Sequence, residues 1–208
     1  MRLVLATHNR HKVGVLRSIL LPVSPGLAPD AIATAGDVGA PDVAETGVTF
    51  AENALLKARA LAALTGLPAV ADDSGLAVDV LGGAPGVFSA RWSGRHGDDA
   101  ANLRLLLDQL ADVPAEHRGA QFVCAAVLVT PDGTETVAQG TMRGRLTTAP
   151  RGTGGFGYDP VLEPDEQPAH AAGRILTSAE LSPEEKNAIS HRGNAFRALA
   201  PAIAAVLG

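Results

Sequence analysis

The N-terminal half of the chain alternates short apolar runs with stretches of helical period, and this alternation restricts the fold more than any other feature. Arg2–Ala6 reads as a short buried strand, and Asn9–Leu20 as a helix with Val13, Leu16, Ile19 and Leu20 on one face. A Pro/Gly stretch, Leu21–Asp30, ends that helix, and Ala31–Ala35 reads as a weak strand before a loop over Gly36–Gly47. Thr49-Phe50-Ala51-Glu52 is a capping box, and the helix it opens runs to Gly66. Pro68–Ala71 is a further buried strand that leads into Asp72-Asp73-Ser74-Gly75, with Leu76–Leu81 extended before a turn at Gly82–Gly86. Asp98–Leu110 is amphipathic. The second half changes character. Ala120–Thr130 and Thr134–Gly140 flank Pro131-Asp132-Gly133, a hairpin signature, and Arg151–Pro160 is a glycine-rich loop. Ser182-Pro183-Glu184-Glu185 opens a helix to Ile189, and a last apolar helix spans Gly193–Leu207 with a kink at Pro201. Strand–helix alternation followed by a long hairpin predicts an α/β fold: a mixed sheet in two lobes with a central cleft, one domain over residues 1–208.

Composition removes several classes. The 208 residues suit one domain that buries about 70% of its unfolded surface, with no need of disulfides. With 17 Lys+Arg against 22 Asp+Glu the net charge is −5, which argues against a binder of DNA or RNA. Cys124 is the sole cysteine and lies in an apolar run, so neither a disulfide framework nor a cysteine zinc site is expected. No 18-residue apolar stretch predicts a membrane span, and the N-terminus reads as a strand rather than a signal peptide; the expected compartment is the cytoplasm. Three lysines, Lys12, Lys57 and Lys186, stand against fourteen arginines, so each marks a position where a compact ammonium can be needed.

Four segments carry candidate chemistry. Thr7-His8-Asn9-Arg10-His11-Lys12 joins the first strand to the first helix, where free N–H groups and the positive dipole end suit a phosphate. Helix capping by Thr and Asn beside a solvated lysine explains the same residues. Asp72 and Asp73 follow a buried strand, where carboxylates of an open α/β sheet face a ligand crevice. Adjacent carboxylates repel unless a cation joins them, and Mg²⁺ takes one or two carboxylates plus phosphate oxygens and water. Asp-Ser-Gly is equally ordinary turn chemistry. Gly152–Pro160 matches G-x-G-x-x-G, but it lies late and closes on Pro160 instead of opening a helix, so a dinucleotide site is rejected. What remains is Phe156 and Tyr158 in a glycine frame, able to stack on a base or to pack into a core. Lys186 and Ser190-His191-Arg192 are donors suited to carbonyl or phosphate oxygens. In one regular helix Lys186 and His191 sit about 140° apart, so they flank a site or the helix breaks near Ser190. Glu45 could add a metal contact, and Asn53 and Lys57 share a helix face one turn apart.

Together these segments resemble the inosine/xanthosine triphosphate pyrophosphatase family. Five motifs occur in its order: T-H-N-R-H-K, E-T-G-V-T-F-A-E-N-A-L-L-K-A, A-D-D-S-G-L with G-G-A-P-G-V-F-S-A-R, G-F-G-Y-D-P, and E-K-N-A-I-S-H-R-G. The resemblance implies an inosine triphosphatase-like fold, a homodimer, a need for Mg²⁺, and hydrolysis of a nucleoside triphosphate to monophosphate and pyrophosphate. It implies Asp73 as proton acceptor and metal ligand. It places the phosphates on Thr7, His8, Asn9, Arg10, His11 and Lys12, and substrate contacts on Lys57 and Ser74. It puts the base on Phe156, Gly157, Tyr158, Asp159, Lys186, His191 and Arg192. Three positions depart from the family pattern: His8 replaces a small residue, Ala44-Glu45 stands where some members carry two acids, and Leu162 replaces an aromatic.

The residues themselves agree with that chemistry. Mg²⁺ between Asp73 and the phosphates, a water oriented by Asp73 or Asp72, and Lys12 and Lys57 against the leaving charge would supply positioning and electrostatics. Hypoxanthine and xanthine offer O6 as acceptor where adenine offers a donor, so donors at Lys186, His191 or Arg192 would discriminate between them. Two further classes fit the same residues: a pyrophosphatase for a modified pyrimidine nucleotide, and a sensor that binds without cleaving.

Overall fold

The computed structural model of the chain is described for residues 2–7, 10–22, 28, 30–171 and 173–208, with residues 10–12 described by backbone alone. Six strands form one sheet in the order β2-β1-β3-β4-β5-β6. They are β1 (Leu3–Leu5), β2 (Ile32–Thr34), β3 (Ala69–Val78), β4 (Gly119–Val129), β5 (Glu135–Leu146) and β6 (Leu162–Pro164). β1 pairs in parallel with both β2 and β3, in registers Leu3 to Ile32 and Val4 to Ala69, whereas β5 and β6 are antiparallel. The sheet is therefore mixed, as the sequence pattern predicts. Among the described residues five α-helices accompany it: α1 (Arg10–Leu20), α2 (Phe50–Thr65), α3 (Asp99–Gln109), α4 (Pro183–Ile189) and α5 (His191–Leu207).

The chain divides into two compact units: Met1–Asp73, Cys124–Gly140 and Arg192–Gly208 in unit 1, and Ser74–Val123 and Thr141–His191 in unit 2. In unit 1 the strands β1 to β4 are buried on both faces, and the period-2 alternation of a strand sorts their side chains. Leu3 and Leu5 of β1, Val70 of β3, and Cys124, Ala126 and Leu128 of β4 pack with Leu16 and Leu20 of α1 and Phe196, Leu199 and Ile203 of α5. Val4, Ala69, Ala71, Val127 and Val129 point the other way, onto Ala54, Ala58 and Leu61 of α2. Each fully buried leucine contributes about 1.5–3 kcal/mol, enough to fix a strand as short as β1. Unit 2 has its own core, in which Leu76, Val78, Leu106, Leu110, Phe122, Tyr158 and Val161 meet.

The capping box of α2 forms as expected: Thr49 Oγ1 accepts the Glu52 amide, the Glu52 carboxylate accepts the Thr49 amide, and Gly66 closes the helix in the left-handed region at φ 64°. Ser182 and Glu185 make the second box. Several expectations need correction. Asp72, Asp73 and Ser74 do not lie at a strand's end; one strand, β3, runs through them to Val78, because the buried Leu76 and Val78 give the extended chain a core to enter. A short 3-10 turn, Asp79–Leu81, replaces the end of the expected extended run. α4 ends at Ile189, as expected, with Ser190 extended (φ −65°, ψ 145°), but α5 starts at His191 rather than Gly193 with Pro201 inside it. β6, three residues long, and a 3-10 turn over Gly86–Arg91 carry too little periodicity to be read from sequence.

Candidate functional site

Two groups of side chains stand out, one in each unit. In unit 1 the strand period decides where the adjacent carboxylates go. Asp72 continues the face of Val70, toward α5, and Asp73 continues the face of Ala71, toward α2. Asp72 is buried, and its Oδ2 accepts from Arg192 Nε, near the start of α5, at 2.8 Å. Asp73 Oδ2 accepts from Asn53 Nδ2 at 3.2 Å, and its Oδ1 lies 3.8 Å from Lys57 Nζ. Asn53 and Lys57 are one turn apart on α2, so a single helix face serves one carboxylate. Opposite directions and separate cations remove the repulsion that the sequence reading assigned to a shared metal.

Lys57 Nζ also donates to Glu45 Oε1 at 2.8 Å, so one ammonium stands between Glu45 and Asp73. Glu45 reaches it because Gly47 lies against the start of α2. A Cβ on Gly47 would stand 2.6 Å from Glu52 Cβ and 2.8 Å from Asn53 Oδ1, and the Gly47 amide donates to that same oxygen at 2.8 Å. Among the described residues no group of three or more His, Cys, Asp or Glu side chains is placed to hold a metal. Two carboxylates sharing one cation nevertheless suit Mg²⁺, which takes few protein oxygens and fills its shell from water and phosphate. Thr7 follows β1 and is nearly buried. His8 and Asn9 lie outside the described residues; the backbone of Arg10, His11 and Lys12 opens α1.

In unit 2 the glycine-rich loop carries an exposed ring. Phe156 is 64% exposed, and Lys186 Nζ stands 5.3 Å from its centroid, within cation–π range. Lys186 also donates to Oδ2 of the buried Asp159, which accepts the Phe156 amide at 2.8 Å as well. Gly155, at φ +72°, makes this possible: a Cβ there would lie 2.1 Å from Asp159 Oδ2 and 2.8 Å from Lys186 Nζ. Tyr158, the other aromatic of the motif, belongs to the core. Its hydroxyl donates to Ser89 O at 2.9 Å, and burial, with the Asp99 carboxylate second, pushes its phenol above the usual range. Of the two rings proposed for the base, Phe156 alone presents a face. His191 is buried, stacked on Phe122 with centroids 5.0 Å apart. Ser74 lies half-buried in β3, and Arg192 belongs with Asp72 in unit 1. Ser89, whose Oγ accepts the Leu76 amide at 2.9 Å, and Asp99, whose Oδ2 accepts the Gly157 amide at 3.0 Å, were not singled out from sequence. A serine beside a cis Ala84-Pro85 turn and an acid in a helix's first turn give no chemical signal of their own.

Comparison with known proteins agrees over the full length. Residues 3–202 match the model of the Ham1 family. A dITP/XTP pyrophosphatase of Streptomyces coelicolor is 62% identical over 207 residues, covering 100% of this chain and 99% of its own. A HAM1 protein from Coxiella burnetii shares the fold at a TM-score of 0.84 and 38% identity, with 98% of each chain covered. A nucleoside-triphosphatase / dITP/XTP pyrophosphatase from Mycobacterium abscessus shares it at 0.76 and 50% identity, over 97% of this chain and 100% of the other.

Proposed function

This chain belongs to the Ham1 family, and from that premise we propose that it hydrolyses deaminated purine nucleoside triphosphates (ITP, dITP, XTP) to the monophosphate and pyrophosphate. The observation that carries the proposal is the Asp73 carboxylate held between Asn53 and Lys57, with Glu45 on the same ammonium. Asp73 takes the proton of a water aligned on the α-phosphorus, and the Asn53 amide orients its carboxylate. Lys57 offsets charge on the departing pyrophosphate. Asp73 and Glu45 are the residues that would hold Mg²⁺, which when bound neutralises phosphate charge. The turn from β1 into α1, Thr7 to Lys12, is the proposed phosphate cradle, since the first amides of a helix have no partner within it.

Base selection is assigned to unit 2. Phe156 offers a stacking face, and the Lys186 ammonium, a pure donor, pairs with O6 and is left facing a donor when the base is adenine. The family resemblance adds a homodimer and a cytoplasmic setting to the same proposal. Among the described residues no helix is long and apolar enough to cross a membrane.

The test is a panel of ITP, XTP, GTP and ATP, with and without Mg²⁺ and with the products identified. Pyrophosphate and monophosphate from ITP and XTP, dependent on Mg²⁺, are expected; orthophosphate as first product overturns the reading, and binding without release makes the chain a sensor. Lys186→Ala should lower the preference for ITP over ATP by about tenfold or more. An unchanged ratio removes Lys186 from base selection.

A further inference from the structure

The loop carrying Phe156 is made costly to order by its own composition. Gly152, Gly154, Gly155 and Gly157 crowd six positions, and three of them take positive φ: 80° at Gly152, 72° at Gly155 and 60° at Gly157. Such a chain has many conformations to lose, so its geometry depends on what grips it. Among the described residues the grips are few. The Arg151 amide donates to Pro160 O at 2.8 Å, the Gly154 amide to Ala179 O at 3.0 Å, the Phe156 amide to Asp159 Oδ2 at 2.8 Å, and the Asp159 amide to Phe156 O at 3.2 Å. These hold the base of the loop and its return. Its tip, Gly157, is held from α3, where Asp99 Oδ2 accepts the Gly157 amide at 3.0 Å.

We propose that Asp99 is a positioning residue for base selection: its carboxylate fixes Gly157 and so sets the direction of the Phe156 ring under Lys186. The inference rests on the reading that Phe156 and Lys186 receive the purine. Asp99 has no capping task to explain it, because Asp98 caps α3 by accepting the Ala101 amide at 3.1 Å. A carboxylate accepting a backbone N–H makes a charge-assisted bond, stronger than a neutral one. The adjoining residue on one side is the exposed Phe156 and on the other the buried Tyr158. Tyr158 is anchored to Ser89 in the core, so a Gly157 released from Asp99 transfers its freedom to Phe156.

The experiment compares Asp99→Ala and Asp99→Asn with the parent in the full chain, by two readouts. In hydrogen exchange, the Gly157 amide of Asp99→Ala exchanges about tenfold faster or more, the factor carried by one such bond, while amides in the later turns of α3 keep their rates. Asp99→Asn, whose amide oxygen still accepts, restores most of the protection. In steady-state kinetics Asp99→Ala raises KM for ITP by about tenfold, keeps kcat within about twofold, and narrows the preference for ITP over ATP. A protein that is only less folded loses kcat on both nucleotides by one factor and keeps KM. Parental Gly157 exchange overturns the proposal, and so does faster exchange with KM and preference unmoved. A parent that releases no pyrophosphate from ITP sinks the functional reading instead, and the exchange arm then decides alone whether Asp99 holds the loop.

Discussion

The side chains of Asp72 and Asp73 leave one strand in opposite directions, and their chemistry separates with them. Asp72 is buried against the Arg192 guanidinium, a pairing that suits a structural carboxylate. Asp73, less buried, keeps an ammonium at 3.8 Å and an amide at 3.2 Å. The two conservative substitutions should therefore fail in different ways. Asp73→Asn should lower kcat by about 10²–10⁴-fold with the unfolding midpoint near the parent's. Asp72→Asn removes the charge that faces the largely buried Arg192 guanidinium and should cost about 3 kcal/mol of stability, with Asp72→Asn/Arg192→Met costing less than the sum of the single changes. Urea unfolding and ITP turnover measured on the same samples check both. A stable, inactive Asp72→Asn would return Asp72 to the chemistry.

At the scale of elements, what the sequence disclosed was what has local causes. Both capping boxes, the face shared by Asn53 and Lys57, and the Pro131-Asp132-Gly133 turn rest on residues within one or two turns of each other. The course of β3 past Asp73 was hidden, because Asp-Ser-Gly is good turn chemistry and only the remote core around Leu76 and Val78 overrules it. Phe156 and Tyr158 looked alike for the same reason: which ring enters the core depends on Ser89, sixty-nine residues away from Tyr158. The loop before α2 joins local and remote causes. Gly47 must be small for the chain to lie on Glu52 and Asn53, and Glu45 reaches Lys57 from there. Gly47→Ala should cost about 1–3 kcal/mol through overpacking and should weaken Mg²⁺ activation as Glu45 is displaced. Parental stability together with a parental Mg²⁺ dependence would mean that the loop yields and Glu45 is not held as described.

Over the whole molecule the charge balance sets a further demand. A chain of net charge −5 is proposed to receive a polyanion, so positive charge has to be gathered where the phosphates lie. Much of what the protein carries is committed elsewhere: Arg59 to Glu135, Arg143 to Asp79, Arg151 to Glu163, Arg192 to Asp72 and Lys186 to Asp159. Lys57 itself faces two carboxylates, Glu45 and Asp73, so this group contributes no surplus of positive charge. On the proposed function, a divalent cation arriving with the nucleotide would supply part of that charge. The fold should not depend on it, because both carboxylates already have an ammonium partner. Chelation by EDTA should thus abolish pyrophosphate release, and Mg²⁺ should restore it. The thermal midpoint of the nucleotide-free protein should stay within about 1 °C across the same change, since a weakly held ion adds little stability by mass action. Full turnover in EDTA would show that the protein's own cations suffice, and a large fall in the midpoint would show a metal bound in the resting fold.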